Sequence, residues 1–379
     1  MENTDLEKIN KYRKHVLVLG AAGTGKTYLI NQMAVASSED VLYVAMTATA
    51  ASQMRDGMFA NAPMKAITLY SFMKHYMTRP RTRFQHVIID EVSMVSDSKM
   101  DQLLIHDGRR RYVFVGDIYQ VAPIQGSYFW YSDRFKKIMD RHDLLVIQRT
   151  HNFRYGEDSE YMSFAEDIRN VRFSPHVDSI FQRLSTTQPP TDNYKEFQKK
   201  FKDTTFVVGR YTDADYYNRP NLSFNSGDPI IIRENNYDQE IYNGMCGTYI
   251  SESTIEINGE KIHVNAGDHK PVVKRFKREK GIYKTKIYGK KTTVKRARVL
   301  YTRCHALICD HIQGMTFSVD RTIVIDLKSI WNINQLYVNL TRCKKLSQLK
   351  FINYNPEKIQ KLFKHNRFIK EYESILATY

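Results

Sequence analysis

Short apolar runs recur along residues 15–150, and each gives way to a turn or to a segment with helical spacing. "HVLVLG" (15–20), "DVLYVAMT" (40–47), "FQHVIIDE" (84–91) and "RRYVFVGD" (110–117) hold β-branched cores too short for helices. Strands alternating with helical segments predict a parallel sheet with crossover helices. Each run closes on Gly, Thr or a carboxylate, where sheets of this kind place their ligand-binding loops.

A second α/β pattern takes in "TTFVVGRYTDADYYN" (204–218), "DRTIVIDL" (320–327) and "LKFINY" (349–354). Residues 251–299 differ. "STIEINGEKIHV" (253–264) alternates around Asn-Gly, the strongest short hairpin signal, and the stretch beyond it alternates too. The reading is a small all-β insert inside a second α/β domain. "STTQPPTDNY" (185–194) reads as a Pro-rich loop and the final twenty or so residues as a helical tail. The chain shows no internal repeat at solenoid spacing.

With 379 residues and 42% apolar content, the chain has material for two or three packed domains, which excludes general disorder. No apolar run approaches the roughly 18 residues of a membrane span. The N-terminal stretch carries early acids and only a short apolar run, unlike a secretory signal. Four cysteines without framework spacing fit a reducing compartment, so the expectation is a soluble intracellular protein with no membrane partner. Lys and Arg number 57 against 41 acids, and this excess of +16 favours a polyanionic partner. Residues 271–299 hold twelve Lys/Arg and the single acid Glu279, with Phe276, Tyr283 and Tyr288 interleaved. Surfaces that grip a phosphate backbone and offer aromatic platforms to bases have that composition, although a solvated loop has it too.

The chemistry starts at "GAAGTGKT" (20–27), which satisfies G-x-x-x-x-G-K-[ST] between a strand and a helical run. Gly20, Gly23 and Gly25 let backbone N–H groups close on a phosphate, and Thr24 lies on the same loop. Lys26 is expected on the β- and γ-phosphates, and the Thr27 hydroxyl on Mg²⁺. In "HVIIDEVSM" (86–94), Asp90 would hold the Mg²⁺ shell and Glu91 would polarise the attacking water. Taken alone, that acidic pair also reads as a helix N-cap. "FVGDIYQVAP" (114–123) puts Gln120 where an amide can reach the γ-phosphate or the water. Cys304, His305, Cys309 and His311 lie close together, in a spacing that matches no zinc pattern.

In this order the motifs resemble those of superfamily 1 helicases, in particular group B. "DEVSM" (90–94) and "GDIYQVAP" (116–123) are close to that group's wording, and "VAMTATAAS" (44–52) is similar to its motif Ia. "ITLYSFM" (67–73) looks like the next segment, with Tyr70 in place of the usual His. "IYNGMCGTY" (241–249) resembles the segment before the group's small-barrel insert. "HALICDHIQGMT" (305–316) is similar to motif V, with His311-Ile312 replacing the usual Lys-Ser, and "LYVNLTRCKK" to motif VI. "IQRTHNFR" (147–154) looks like motif IV.

The resemblance implies an α/β fold of two RecA-like P-loop domains, parallel sheets flanked by helices, with a small all-β insert in the second. It places the ATP-binding domain at 1–145, the second at 146–250 and 300–379, and the insert at 251–299. It implies an ATP- and Mg²⁺-dependent helicase that moves 5′ to 3′ on single-stranded DNA, with RNA also possible. Such a protein would act as a monomer beside replication, recombination or repair proteins. Arg342, and Arg154 with Arg149 as the alternative, would enter the ATP site from the second domain, where Gly314 also contributes. Thr47, Thr68, Phe72, Gln313 and Thr316 would face nucleic acid. The family places an adenine-reading Gln upstream of the phosphate loop. Residues 1–19 contain no Gln, so relaxed base selectivity is expected. The readings from other classes are an ATP-switched nucleic-acid-binding protein that does not unwind and a P-loop enzyme acting on a small molecule.

Overall fold

A computed structural model describes residues 3–12, 14–37, 41–47, 50–51, 54, 64–75, 77, 84–105, 110–156, 158–186, 203–218, 223–236, 239, 241–257, 259–264, 301–364 and 373. The basic stretch 271–299, most of the Pro-rich loop and most of the C-terminal tail lie outside them. The described residues group into two compact units, 1–217 with 306–379, and 218–305.

The first unit holds two parallel sheets. Its larger sheet comprises β1 (His15–Gly20), β2 (Val41–Ala45), β3 (Met64–Thr68), β4 (His86–Ile89), β5 (Arg111–Gly116) and β6 (Leu144–Arg149), in the order β3-β2-β4-β5-β1-β6. β1 and β2 are buried along their whole length, since flanking segments cover both faces of the sheet. Val16, Val18, Leu29, Met33, Tyr43, Ile88 and Val115 belong to one apolar core between strands and helices. β4, β5 and β1 are neighbours, so the segments that follow them emerge side by side, roughly 5 Å apart per strand. That adjacency brings the Lys26 loop, the Asp90-Glu91 pair and the Gly116-Asp117 turn together.

Four strands, β7 (Thr204–Val208), β13 (Ala306–Ile308), β14 (Thr322–Asp326) and β15 (Leu349–Ile352), form the smaller parallel sheet, in the order β13-β7-β14-β15. Phe206, Val208, Tyr217, Ile308, Val324 and Ile352 pack together in its core. Helix Ile333–Leu340 starts at Asn332, whose side chain accepts the Gln335 N–H at 2.7 Å, a standard N-cap.

The second unit is built on an antiparallel sheet, with β8 (Pro229–Ile232), β9 (Cys246–Ser251), β10 (Thr254–Ile257), β11 (Glu260–His263) and β12 (Tyr301–Arg303) in the order β11-β10-β9-β8-β12. β10 and β11 pair as a hairpin, Ile257 opposite Glu260, with Gly259 at φ 83° in its turn. Arg303 pairs with Asp228 at 2.9 Å while its guanidinium covers the Phe224 ring.

The expected fold class is therefore present: α/β with two parallel sheets and an all-β part. β6 runs through residue 145, so the larger sheet continues to Arg149. The antiparallel sheet starts at Pro229, because the apolar run "PIII" carries no alternation to separate it from a parallel-sheet strand. Among the described residues, no helix is long and apolar enough to cross a membrane.

Candidate nucleotide site

β1 delivers Gly20–Thr27 at the end of a fully buried strand, and helix Lys26–Ala36 begins from Gly25, which has φ 75°. Two glycines here are dictated by space. A Cβ on Gly20 would stand 2.5 Å from Thr24 Oγ1 and 2.7 Å from the Arg149 carbonyl. A Cβ on Gly23, at φ +88°, would stand 2.4 Å from the Arg154 Cβ and 2.7 Å from Asn152 Oδ1. Gly23→Ala is accordingly expected to weaken nucleotide binding by roughly 10-fold or more and to lower stability by about 1–3 kcal/mol. A titration with a fluorescent ATP analogue alongside thermal melting checks this, and wild-type affinity in that variant would refute the loop's tight fit.

Lys26 is half-buried, and its ammonium donates to the carbonyls of Gly20 at 2.8 Å and Ala21 at 2.9 Å. Burial lowers its pKa, while Asp117, Glu91 and Asp90 pull the other way and favour the charged form. Thr24 is buried and donates its hydroxyl to the Ala21 carbonyl at 2.9 Å. Thr27 is exposed in the helix's first turn.

Asp90 follows β4. Its Oδ1 accepts the Glu91 N–H at 2.8 Å, and its Oδ2 accepts the Tyr43 hydroxyl from the neighbouring strand. Burial raises the Asp90 pKa, against the pull of those two hydrogen bonds and of Lys26. Glu91 has φ 51°, the left-handed region that a non-glycine residue rarely adopts. Burial, and then the Asp90 charge, raise its pKa, whereas Lys26, Arg342 and a hydrogen bond from Gln313 lower it. That bond, Gln313 Nε2 to Glu91 Oε2 at 3.2 Å, joins residues 222 positions apart.

From the far side of the chain, Arg342 follows helix Ile333–Leu340 and is only 2% exposed. Its guanidinium donates to Val338 O at 3.0 Å, Met315 O at 3.2 Å and Thr341 Oγ1 at 2.9 Å. Arg154 donates to Thr341 O at 2.6 Å. Burial and the Arg342 charge lower the Arg154 pKa. Arginine stays protonated all the same, so this repulsion persists until an anion relieves it. Arg149 has another job: it donates to Thr24 O at 2.8 Å and pairs with Asp5 at 3.1 Å.

These groups meet in one cleft of about 560 Å³, lined by Gly23, Gly25, Lys26, Thr27, Asp90, Glu91, Gln120, Arg154, Gln313, Gly314 and Arg342. Gln120 and Gln313 are buried, and the side-chain oxygen of each has no hydrogen-bond partner among the described residues. An orphaned buried acceptor costs about 1–3 kcal/mol, so a site that holds two suits a ligand or water that donates to them. The hard oxygen donors of Thr27 and Asp90 beside Lys26 fit a Mg²⁺-bound triphosphate, with the ion screening the phosphate charge.

Thr47 and Gln313 line the same cleft, and Thr316 is exposed. The Thr68 hydroxyl turns onto Ser71, accepting its N–H at 3.2 Å. Phe72 is wholly buried, because Leu69 and Phe72 share the inner face of helix Leu69–His75. Tyr70, on the outer face, is 72% exposed.

Sequence reasoning assigned nothing to Tyr337, Asn334, Tyr43 or Arg169. Tyr337 and Asn334 lie in or beside "LYVNLTRCKK", and their periodicity within an apolar helix reads as packing.

Fold and site together define a P-loop protein in which segments from two parallel sheets line one cleft. The sequence model of one family, described as an AAA domain, matches residues 6–178. The chain matches the crystal structure of the Pif1 helicase from Candida albicans at 18% identity and TM-score 0.69, covering 100% of this chain and 98% of that one. Pif1 from Bacteroides bound to ssDNA matches at 18% identity and TM-score 0.70, covering 100% and 96%. The Bacteroides enzyme in complex with ADP-AlF3 and ssDNA matches at 17% and 0.65, with the same coverage. The fold is thus shared with these Pif1 helicase structures. No curated protein matches the chain.

Proposed function

We propose that the chain is an ATP-dependent helicase of superfamily 1 group B that moves along single-stranded DNA, in the 5′ to 3′ direction. The observation that carries this reading is the shared cleft: Lys26 and the Asp90-Glu91 pair enter it from segments of the larger sheet, and Arg342 and Gln313 from segments near the smaller one. The Pif1 structures with ssDNA and with ADP-AlF3 support the substrate and the nucleotide.

In this reading Lys26 and the amides of Gly23 and Gly25 hold the phosphates. Thr27 and Asp90 hold Mg²⁺, which would neutralise charge between the phosphates. Glu91 accepts a proton from the attacking water, which Gln120 and Gln313 orient through their free oxygens. Arg342 and Arg154 neutralise charge that develops on the γ-phosphoryl group. The arginines reach that charge only when the two sheets close on the cleft. Hydrolysis then drives an opening, and repeated closure ratchets the protein along its strand. The ATP-binding domain centres on the larger sheet, the second RecA-like domain on the smaller one, and Thr47, Thr68 and Thr316 contact the strand. The protein acts as a monomer in replication, recombination or repair.

The test is ATP turnover with and without oligo-dT, together with strand displacement on duplexes carrying 5′ or 3′ DNA or RNA tails. Stimulated turnover with displacement from 5′ DNA tails is expected. Turnover without displacement would favour the ATP-driven grip-and-release alternative, and turnover indifferent to oligo-dT would remove nucleic acid from the reading.

A further inference from the structure

Helix Ile333–Leu340 holds more than the arginine that follows it. The buried hydroxyl of Tyr337 accepts the N–H of Ala22, on the phosphate loop, at 3.3 Å. It donates in turn to Oδ2 of the buried Asp117, beyond β5, at 2.8 Å. Asn334, one turn earlier on the same face, donates to the carbonyls of Tyr119 at 2.8 Å and Gln120 at 3.1 Å. Arg169 fixes the other Asp117 oxygen at 3.4 Å and stacks on the Tyr119 ring, 3.9 Å from its centroid. One helix face therefore ties down the phosphate loop and the Asp117–Gln120 segment together.

The same helix places Arg342 rigidly. Thr341 N–H donates to Tyr337 O at 3.0 Å, and the Arg342 side chain folds back onto the same helix, its Nε donating to Val338 O at 3.0 Å, so the arginine is fixed to the helix that carries Tyr337. Any shift of Tyr337 against Ala22 shifts Arg342 against the phosphates by a similar amount. Misplacement of a catalytic group by about 1 Å can cost roughly 100-fold in rate. A ring packed in the core would hold the helix in place as well without its oxygen. Here both the lone pair and the proton of that oxygen are used, each toward a different loop of the nucleotide site.

We infer that Tyr337 is a positioning residue for ATP hydrolysis: its hydroxyl sets the spacing between the phosphate loop and Arg342. The inference rests on the ATPase reading above. Tyr337→Phe removes the oxygen and keeps the ring. It is expected to lower kcat for oligo-dT-stimulated ATP turnover roughly 10- to 100-fold while KM for ATP stays within about threefold. The thermal midpoint reports separately on packing. The double variant Tyr337→Phe/Asp117→Ala is expected to turn over no more slowly than the worse single one, because both changes remove the same Tyr337–Asp117 bond.

Three results would overturn the role: kcat within about twofold of wild type, a raised KM with kcat unchanged, or losses that multiply in the double variant. Should Tyr337→Phe fail to fold, Asp117→Ala alone removes the bond's acceptor. It must then show the same fall in kcat, and a wild-type kcat would overturn the role. A wild-type protein that turns over no ATP would instead sink the ATPase reading, and this role with it.

Discussion

Lys26→Ala is expected to lose ATP turnover and strand displacement together, with the turnover falling by roughly 10³-fold or more. The ammonium already sits between the Gly20 and Ala21 carbonyls, where burial lowers its pKa against the opposing pull of Asp117, Glu91 and Asp90, and Lys26 is the one cation of the 20–27 loop. Removing it deletes a preorganised donor and leaves Asp90, Glu91 and Asp117 without that counter-charge. Those carboxylates would then repel the triphosphate. Lys26→Arg is expected to fail as well, since a planar fork does not fit a slot that holds a compact ammonium. Coupled ATPase and displacement assays on the same preparation check both variants. Wild-type turnover in Lys26→Ala would remove the phosphate-loop assignment.

The parts of the site that sequence made legible are those fixed locally. Gly20–Thr27 and Asp90-Glu91 each follow an apolar strand directly, so strand, turn and functional group are read from one short window. Their meeting follows from the neighbouring positions of β4, β5 and β1. Arg342 became legible only through its likeness to motif VI, because nothing in 337–345 points to a phosphate 316 positions earlier, at Lys26. Tyr337 shows the limit. A tyrosine in an apolar helix reads as core, and its ring is core; the function lies in one oxygen whose partners, Ala22 and Asp117, come from other elements. The burial of Phe72 was not legible either, since its place in a motif says nothing about which helix face turns inward. β6 and β8 lie near or within segments whose sheet the sequence does not specify, because an apolar run announces a strand but not which sheet receives it.

The second large effect is expected at Arg342→Ala: nucleotide binding near normal, with turnover about 10³-fold slower, or about 4 kcal/mol of lost transition-state stabilisation. Two contributions have to be separated. The guanidinium makes structural hydrogen bonds to Val338, Met315 and Thr341, so truncation leaves buried acceptors open at about 1–3 kcal/mol of stability. Thermal melting reads that cost. The catalytic cost comes from charge, because the Arg342 charge already acts on Glu91 across the cleft, favouring its carboxylate form. Ground-state phosphates keep Lys26 and Arg154, so affinity for an ATP analogue should change little. Only the extra charge that develops on the γ-phosphoryl group goes unmet, and the loss falls on kcat. Arg342→Lys restores a charge without the fork that reaches the Val338 and Met315 carbonyls. It should melt nearer the wild type than Arg342→Ala yet recover only part of the rate. Weakened binding with an unchanged maximal rate in Arg342→Ala would move the residue from transition-state stabilisation to simple phosphate capture. The case for two sheets closing on one cleft would then lose its main support.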